Sequence, residues 1–316
     1  MKILFISPRY SGGIGGHASM LADQLSKKGH KVTKMKTHHI PIKNLKNPSF
    51  AIFGMIQGIL NNEKYDVVHA FNVPSAFAMH YSKGTKKVLS IHGVFSDQVK
   101  KLHSSAVSSI ASTAESKVVK WADKLTTDSK ISKNEYKKKL NLDFEYLPSA
   151  IDTEKLETIP AVKKVSNQVL YLGRDSYEKG IDILKNAEKT INGKVVYCTN
   201  LPWFDAMKLL KSSHVLAVPS RMESLPTNIK EAFFLKIPVV ATNVGGIPEL
   251  VSDNKTGMLI PSEDSTKLST EINKILKDKE NSERMIQTAY EFVNNEMSWK
   301  KIIPKYIQFY EDLLNN

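Results

Sequence analysis

The chain has 316 residues, 41% hydrophobic and 24% charged, a globular composition at a length where a single core usually stops growing, so two domains are expected. Its one cysteine, Cys198, excludes an intramolecular disulfide and, with no Cys pair or clustered His, a thiolate metal site, which points to a reducing compartment. The net charge of +13 lies wholly in the first half: residues 1–150 hold 23 Lys and Arg against 10 Asp and Glu, and residues 151–316 hold 22 against 22. So basic a half concentrates anionic partners such as lipid head groups, although a lysine-rich solubilising surface accounts for the same numbers equally well.

Lys2-Ile-Leu-Phe-Ile-Ser7 reads as a buried strand running into Gly12-Gly-Ile-Gly-Gly16, without the long apolar stretch and cleavage site of a secretory leader. No apolar run approaches the ~20 residues of a membrane-spanning helix, so the expected location is cytoplasmic, or peripheral on the inner membrane face. Ala18, Leu21, Ala22 and Leu25 fall at i, i+3, i+4 and i+7, which predicts an amphipathic helix ended by Gly29; a strand begins at His30. Strand, glycine loop, helix, strand is a right-handed βαβ crossover. Further strands are predicted at 67–71, 87–91, 124–127 and 144–147, with helices at 50–61 and 104–121 and another started by the capping-box spacing Ser132-Lys-Asn-Glu135.

Residues 153–167 are polar, contain Pro160 and suit a linker. A second series follows, with strands at 168–172, 194–198, 214–218 and 238–241 and a helix at 181–187. Residues 282–314 are helical, with breaks expected at Met297-Ser-Trp299 and near Pro304. Their apolar face of Ile302, Ile303, Tyr306, Phe309, Tyr310, Leu313 and Leu314 needs a domain surface to cover it. The expected organisation is two Rossmann-like, doubly wound α/β domains facing each other across a cleft: residues 1–152, joined by the helix 299–316, a linker 153–167, and residues 168–298.

Three constellations carry chemistry. The Gly12–Gly16 stretch lets backbone N–H groups at a helix start approach an anion; it departs from Gly-x-Gly-x-x-Gly, and no acidic residue ends the strand after His30, which argues against NAD. In Gly173-Arg-Asp-Ser-Tyr-Glu-Lys179-Gly180, Arg174 and Lys179 combine a guanidinium fork with a point charge, suited to a diphosphate or simply to solvent. In Glu223-Ser224-Leu225-Pro226-Thr227-Asn228-Ile-Lys-Glu231, Pro226 is pre-set for a first helical turn. Glu223 then precedes the helix and Glu231 lies in its second turn, with the free amides around 224–228 facing the same space. A polyhydroxylated, doubly charged ligand would meet acceptors and donors there, although acidic residues near a helix start also have an ordinary dipole explanation.

With these residues in order, the chain resembles glycosyltransferase family 4, retaining enzymes of the GT-B fold. The resemblance also draws on Gly29-His30, Asp66-Val-Val-His69, Ser90-Ile-His92-Gly93, Ala122-Asp123 through Ser129, and Val240-Ala-Thr-Asn-Val-Gly-Gly-Ile-Pro-Glu249 with Gly257. It implies transfer of a sugar from a nucleotide-diphosphate sugar to a sugar- or lipid-linked acceptor hydroxyl. Arg174 and Lys179 would hold the diphosphate, Glu223 and the amides of Ser224, Leu225, Thr227 and Asn228, with Pro226 lining the same loop, the sugar, and Glu231 the ribose. Gly15 and Gly16 would approach the phosphates, and His92 the transferred sugar. The expected catalytic set is thus Glu223, His92, Arg174 and Lys179. No Asp-x-Asp motif occurs, so no metal and no cofactor beyond the donor are expected, and nucleic acid is not an expected partner. The chain departs from the family in Ser149-Ala150, where Asn-Gly is usual before Ile151-Asp152, and in Thr199-Asn-Leu-Pro-Trp203, where a nucleotide-contacting glycine loop is expected. A GT-B phosphorylase, an epimerase, or a nucleotide-sugar or nucleic-acid binding protein without transferase activity are the rival readings.

Overall fold

The computed structural model describes residues 1–8, 13–42, 45–102 and 104–316, without the side chains of 98, 101, 102 and 279–281. It divides into two compact units, Met1–Ser149 with Ile302–Asn316, and Ala150–Lys301.

In the first unit, strands β1 (Lys2–Pro8), β2 (Lys31–Thr37), β3 (Lys64–Phe71), β4 (Lys83–Ser90), β5 (Lys124–Thr127) and β6 (Phe144–Tyr146) form a parallel sheet in the order β2-β1-β3-β4-β5-β6. Its interior strand β1 buries Ile3, Leu4, Phe5 and Ile6 in succession, as a strand covered on both faces must. The first helix, Gly13–Lys27, buries the predicted Ala18, Leu21, Ala22 and Leu25. It begins earlier than expected, so Gly13, Gly15 and Gly16 lie inside its first turn rather than on a loop, and Gly12 lies outside the described residues. Gly13 opens it with φ +54°, a backbone angle natural to glycine.

The helix expected at 104–121 is present as Ser105–Val118 continued by a 3-10 turn at Val119–Trp121, and a separate helix, Phe95–Leu102, that was not anticipated precedes it. The helix expected to start at Ser132 starts instead at Lys130, because the extended residue Ser129 caps it and accepts from the Ser132 N–H at 3.2 Å. The break expected near Pro304 is absent: helix Trp299–Asn315 runs through it. Pro304 and Lys300, whose carbonyl loses its partner, are both exposed, while Ile302, Ile303, Tyr306, Tyr310 and Leu313 are buried, and that packing outweighs one missing bond.

Two phenols fasten this helix to the first unit. Tyr306 donates to the Leu147 carbonyl at 3.1 Å and lies 3.1 Å from His17 Nε2. Tyr310 Oη lies 2.7 Å from His69 Nδ1, whose Nε2 in turn lies 2.6 Å from Ser90 Oγ. Burial, and the proximity of His92, hold the His69 pKa down to about 3, so the ring is neutral and offers one donor and one acceptor to its two hydroxyl partners.

In the second unit, β7 (Gln168–Leu172), β8 (Lys194–Cys198), β9 (Val215–Val218), β10 (Val239–Thr242) and β11 (Met258–Ile260) form a parallel sheet in the order β8-β7-β9-β10-β11. The three-residue β11 was not anticipated. The stretch read as a linker carries a short helix, Thr153–Glu157, capped by Asp152, whose Oδ1 accepts from the Lys155 N–H at 3.0 Å. Leu156 and Ile159 are buried in the same core as Leu210 and Phe233, so residues 153–159 belong to the second unit's body; their polar neighbours concealed two core residues.

Both sheets follow one logic. The strand order reverses between the first and third strands of each unit, and at such a switch point the loops leaving the carboxyl ends diverge and open a crevice. In the second unit the loops concerned are those after β7 and β9, and they carry the glutamate and lysine motifs.

Tyr310→Phe removes a fully buried hydroxyl and leaves a His69 ring nitrogen without its partner. The expected loss is about 1–3 kcal/mol, read as a lower thermal midpoint than wild type. An unchanged midpoint would show that the pair is not holding the helix.

Candidate functional site

The loop after β7 and the loop after β9 meet through their backbones. Gly180 has φ +63°, and a Cβ there would lie 2.0 Å from the Pro219 carbonyl oxygen, so only glycine lets the Lys179 loop come this close. The N–H groups of Arg221 and Met222 both donate to the Glu178 carbonyl, at 2.9 and 3.2 Å. Arg221 then locks the junction: its guanidinium donates to both Asp182 oxygens at 2.8 and 2.7 Å, to the Tyr177 carbonyl at 2.9 Å and to Glu263, and it lies 4.3 Å from the centre of the Tyr177 ring. Asp182 and Glu263 raise its pKa further, so it is a permanent structural cation. Sequence reading passed over Arg221, because its partners are 39–44 positions away in the chain.

That junction presents the central cluster. Lys179 Nζ donates to Glu223 Oε1 at 2.7 Å, and Ser220 Oγ donates to the same oxygen at 2.8 Å. The Glu223 side chain is only 7% exposed. Its backbone is set from the other side by Gly245, φ +51°, where a Cβ would lie 1.8 Å from the Glu223 carbonyl oxygen. Beneath the cluster is a small pocket lined by Tyr171, Leu172, Val218, Pro219 and Ser220, together with Lys179 and Asn228. Asn228 donates from Nδ2 to the Leu172 carbonyl at 2.8 Å, while its Oδ1, like Ser176 Oγ on the facing loop, is buried without a hydrogen-bond partner among the described residues. Buried polar atoms in that state suit an occupant bearing hydroxyl groups.

The other predicted residues fall around this centre. Thr227–Phe234 is helical with Pro226 at its cap and no side-chain cap, and it buries Ile229, Ala232 and Phe233 as expected; Leu225 and Pro226 are buried and Ser224 is half-buried. Arg174 stands apart: its side chain is 72% exposed and pairs with Glu178 at 2.8 Å. Such an exposed pair is weak enough to yield to an arriving anion.

Glu231 does not share a partner with Glu223. Its Oε1 accepts from Trp203 Nε1 at 2.8 Å, and Lys155 Nζ lies 4.1 Å from the centre of the Trp203 ring. Burial of the carboxyl pushes its pKa up to about 7, against the opposing pull of the Trp203 hydrogen bond, even though the residue as a whole retains intermediate exposure. Trp203 is therefore a site residue that the sequence flagged only as a departure, and its indole N–H is what engages the Glu231 carboxylate.

At the corresponding strand ends of the first unit, His92 follows β4 and Asp128 follows β5, with His92 Nδ1 3.2 Å from Asp128 Oδ2 and both side chains nearly buried. The His17 ring lies 5.3 Å from that of His92. The chain after His92 is anchored from behind: Tyr136 Oη accepts from the Phe95 N–H at 3.3 Å and donates to Glu115, whose Oε2 accepts from the Ser96 N–H at 3.1 Å. Gly15 is buried and Gly16 half-buried in the opening turn of Gly13–Lys27. Among the described residues no three His, Cys, Asp or Glu gather as metal ligands would.

Comparison with known proteins agrees with this architecture. The profile of the family described as Glycosyltransferase Family 4 matches residues 11–155, and that of Glycosyl transferases group 1 matches residues 187–292. An uncharacterized glycosyltransferase of Methanocaldococcus jannaschii is 23% identical over 98% of both chains. Among solved structures, sucrose-phosphate synthase from Thermosynechococcus elongatus superposes with a TM-score of 0.81 at 17% identity over 99% of both chains. HepE of Anabaena, solved in complex with UDP-glucose, superposes at 0.75 with 14% identity over 99% of this chain and 100% of the other.

Two outcomes follow from the geometry. Gly245→Ala must displace the Glu223 backbone and adopt a strained φ, which should lower stability by about 1–3 kcal/mol or more in denaturant unfolding; a neutral effect would show that the contact is dispensable. Glu231 holds its proton more tightly folded, with a pKa of about 7, than the ordinary 4.5 of the unfolded chain. The folded state therefore binds more protons between those values, and the group's contribution to stability falls as pH rises from 4.5 to 7. Glu231→Gln, which keeps an acceptor for Trp203, should remove that slope from thermal midpoints measured between pH 5 and pH 8; an identical slope would refute the assignment.

Proposed function

Because the chain belongs to glycosyltransferase family 4 and carries the GT-B fold, it is a glycosyltransferase, and we propose that it moves a sugar, with retention of anomeric configuration, from a nucleotide-diphosphate sugar to an acceptor hydroxyl in glycoconjugate or polysaccharide synthesis. The observation that carries this reading is the Lys179–Glu223–Ser220 cluster at the switch point of the second sheet. It sets a cation and a carboxylate, both held by rigid backbone, at the strand ends where ligands of such folds enter. The UDP-glucose complex of the Anabaena neighbour supports a nucleotide sugar as the donor.

In this reading Lys179 and the loosely held Arg174 neutralise the diphosphate as it leaves, a task that needs no metal ion. Glu223, together with the N–H groups of the loop and helix start after it, accepts from and donates to the hydroxyls of the transferred sugar. The helix Thr227–Phe234 has no side chain capping its start, which leaves the N–H groups of Thr227 and Asn228 open to a ligand. Glu231 receives the ribose hydroxyls, for which they compete with the Trp203 N–H. In the first unit, Gly15 and Gly16 are assigned to the donor phosphates and His92 to the transferred sugar, roles that follow from family membership. Asp128 would then orient the imidazole. Transfer on the front face lets the departing diphosphate take the acceptor proton, so the protein groups act by position and charge, and none becomes covalently attached. The excess positive charge of residues 1–150 suits an anionic or membrane-borne acceptor.

The reading is tested by incubating the protein with a panel of nucleotide-diphosphate sugars and following nucleoside diphosphate release, with chelator added in a parallel series. Wild type should turn over at least one donor whether or not chelator is present. Lys179→Ala and Glu223→Gln should lower kcat by roughly 10²–10³ with their circular dichroism unchanged. Turnover that survives both substitutions would remove the cluster from the chemistry, and an inverted anomeric centre in the product would remove the front-face mechanism.

A further inference from the structure

The helix Lys46–Leu60 of the first unit is turned inside out relative to an ordinary surface helix. Its inner face buries Ser49, Phe50, Gly54 and Gly58, and the two glycines pack on the Ala76–Tyr81 helix, where a Cβ on Gly58 would lie 2.6 Å from the Ala78 carbonyl oxygen. Gln57, beside them, accepts from Thr37 Oγ1 at 2.8 Å. Five other large side chains point the other way. Ile52, Phe53, Ile56, Ile59 and Leu60, spaced i, i+1, i+4, i+7 and i+8 along one stripe, are exposed, from 38% for Phe53 to 72% for Leu60, and Leu45 extends the stripe at its start. Singly exposed apolar residues need no explanation, but a continuous stripe of five on one helix does.

The surrounding charge says what covers it. Residues 24–62 contain seven lysines and no Asp or Glu. Lys46 is exposed at the first turn of the helix, and at its other end Lys83 donates to Asn62 at 3.0 Å. Asp23, paired with Lys34, and Glu63, paired with Lys2, border this stretch, so the charge around the stripe is mainly positive. An apolar stripe in lysine-rich surroundings is complementary to a surface with an anionic rim and an apolar interior, which is a bilayer of acidic phospholipid. A second copy of the chain fits poorly, because apposing two such faces would bring like charges together. The helix is 15 residues long, about 22 Å, which is too short to span a bilayer and of a length to lie along its surface. Among the described residues no helix is long and apolar enough to cross a membrane.

We propose that the Lys46–Leu60 helix is a membrane-docking element that inserts its Ile52–Leu60 stripe between the head groups of an anionic bilayer, with the adjoining lysines on the phosphates. This deepens the anionic-surface part of the function proposed above and does not depend on the donor. It gives a lipid-borne acceptor hydroxyl a way to reach a chain that has no membrane-spanning helix among its described residues.

The test is flotation of the whole protein, without donor, on vesicles of phosphatidylcholine alone and with about 30 mol% phosphatidylglycerol, alongside light scattering in solution. Wild type should float with the anionic vesicles, and the double variant Ile56→Glu with Ile59→Glu should bind at least about tenfold more weakly while keeping the wild-type thermal midpoint and donor turnover, since both side chains are exposed. Lysine substitutions at the same two positions separate insertion from charge: they should also weaken binding, although they add positive charge. Binding unchanged in the glutamate variant would overturn the docking role of the helix while leaving charge-driven binding intact. No flotation of wild type at low salt would overturn both, while donor turnover would still stand or fall by itself. A wild-type dimer that the glutamate pair converts to monomer would assign the stripe to self-association and overturn the proposal.

Discussion

Everything proposed for the second unit depends on two places where backbones approach more closely than a side chain allows. At Gly180 the lysine loop lies against Pro219, and at Gly245 a third loop lies against Glu223; a Cβ at either glycine would fall within 2.0 Å of a carbonyl oxygen. These contacts cannot drift without separating the loops, so the relative position of Lys179, Ser220 and Glu223 is determined by main chain rather than by the flexible stem of a lysine. Arg221, paired with Asp182 and Glu263, closes the same junction from outside. A site whose task is to stabilise charge as it develops gains most from groups already in place, because no reorganisation is then needed at the moment of reaction.

The molecule treats its buried carboxyl groups in three ways, and each matches the role inferred for it. Glu223 is matched by a cation and a hydroxyl, which both donate to one carboxylate oxygen and fix its direction. Glu231 accepts from an indole N–H, and burial lifts its pKa to about 7, so its charge near neutrality depends on what else arrives. Glu115 is matched to a phenol and a backbone N–H behind the His92 segment, where it fixes the path of the chain. A neutral His69 between two hydroxyls completes the picture in the first unit: its pairing with Tyr310 and Ser90 ties the C-terminal helix to the sheet.

The two units also divide the labour of charge. The second is close to electrically balanced and pairs Lys179 and Arg221 at the loops after β7 and β9, whereas the first has an excess of lysines and an outward-facing apolar helix. Two glycines on its inner face explain how that helix can pack while burying only Phe50 among its large side chains: close approach of two backbones substitutes for side-chain interdigitation.

The amino-acid order by itself determined the two α/β series, most strand positions and the family resemblance, because parallel strands are short, continuous apolar runs and the 3.6-residue period of the first helix is undisturbed. It also named Lys179 and Glu223, since both sit in local motifs next to strand ends. What it misjudged were the features settled by partners distant in the chain. Pro304 looked like a break until the buried face of its helix outweighed one lost hydrogen bond, and residues 153–159 looked like a linker until Leu156 and Ile159 found a core. Only the tertiary structure showed Trp203 on Glu231, Arg221 across Asp182 and Glu263, and the stripe of the Lys46–Leu60 helix facing outward. Periodicity tells that a helix has an apolar face, but which way that face turns is decided by what packs on the opposite side, and here two glycines and an alanine made that choice.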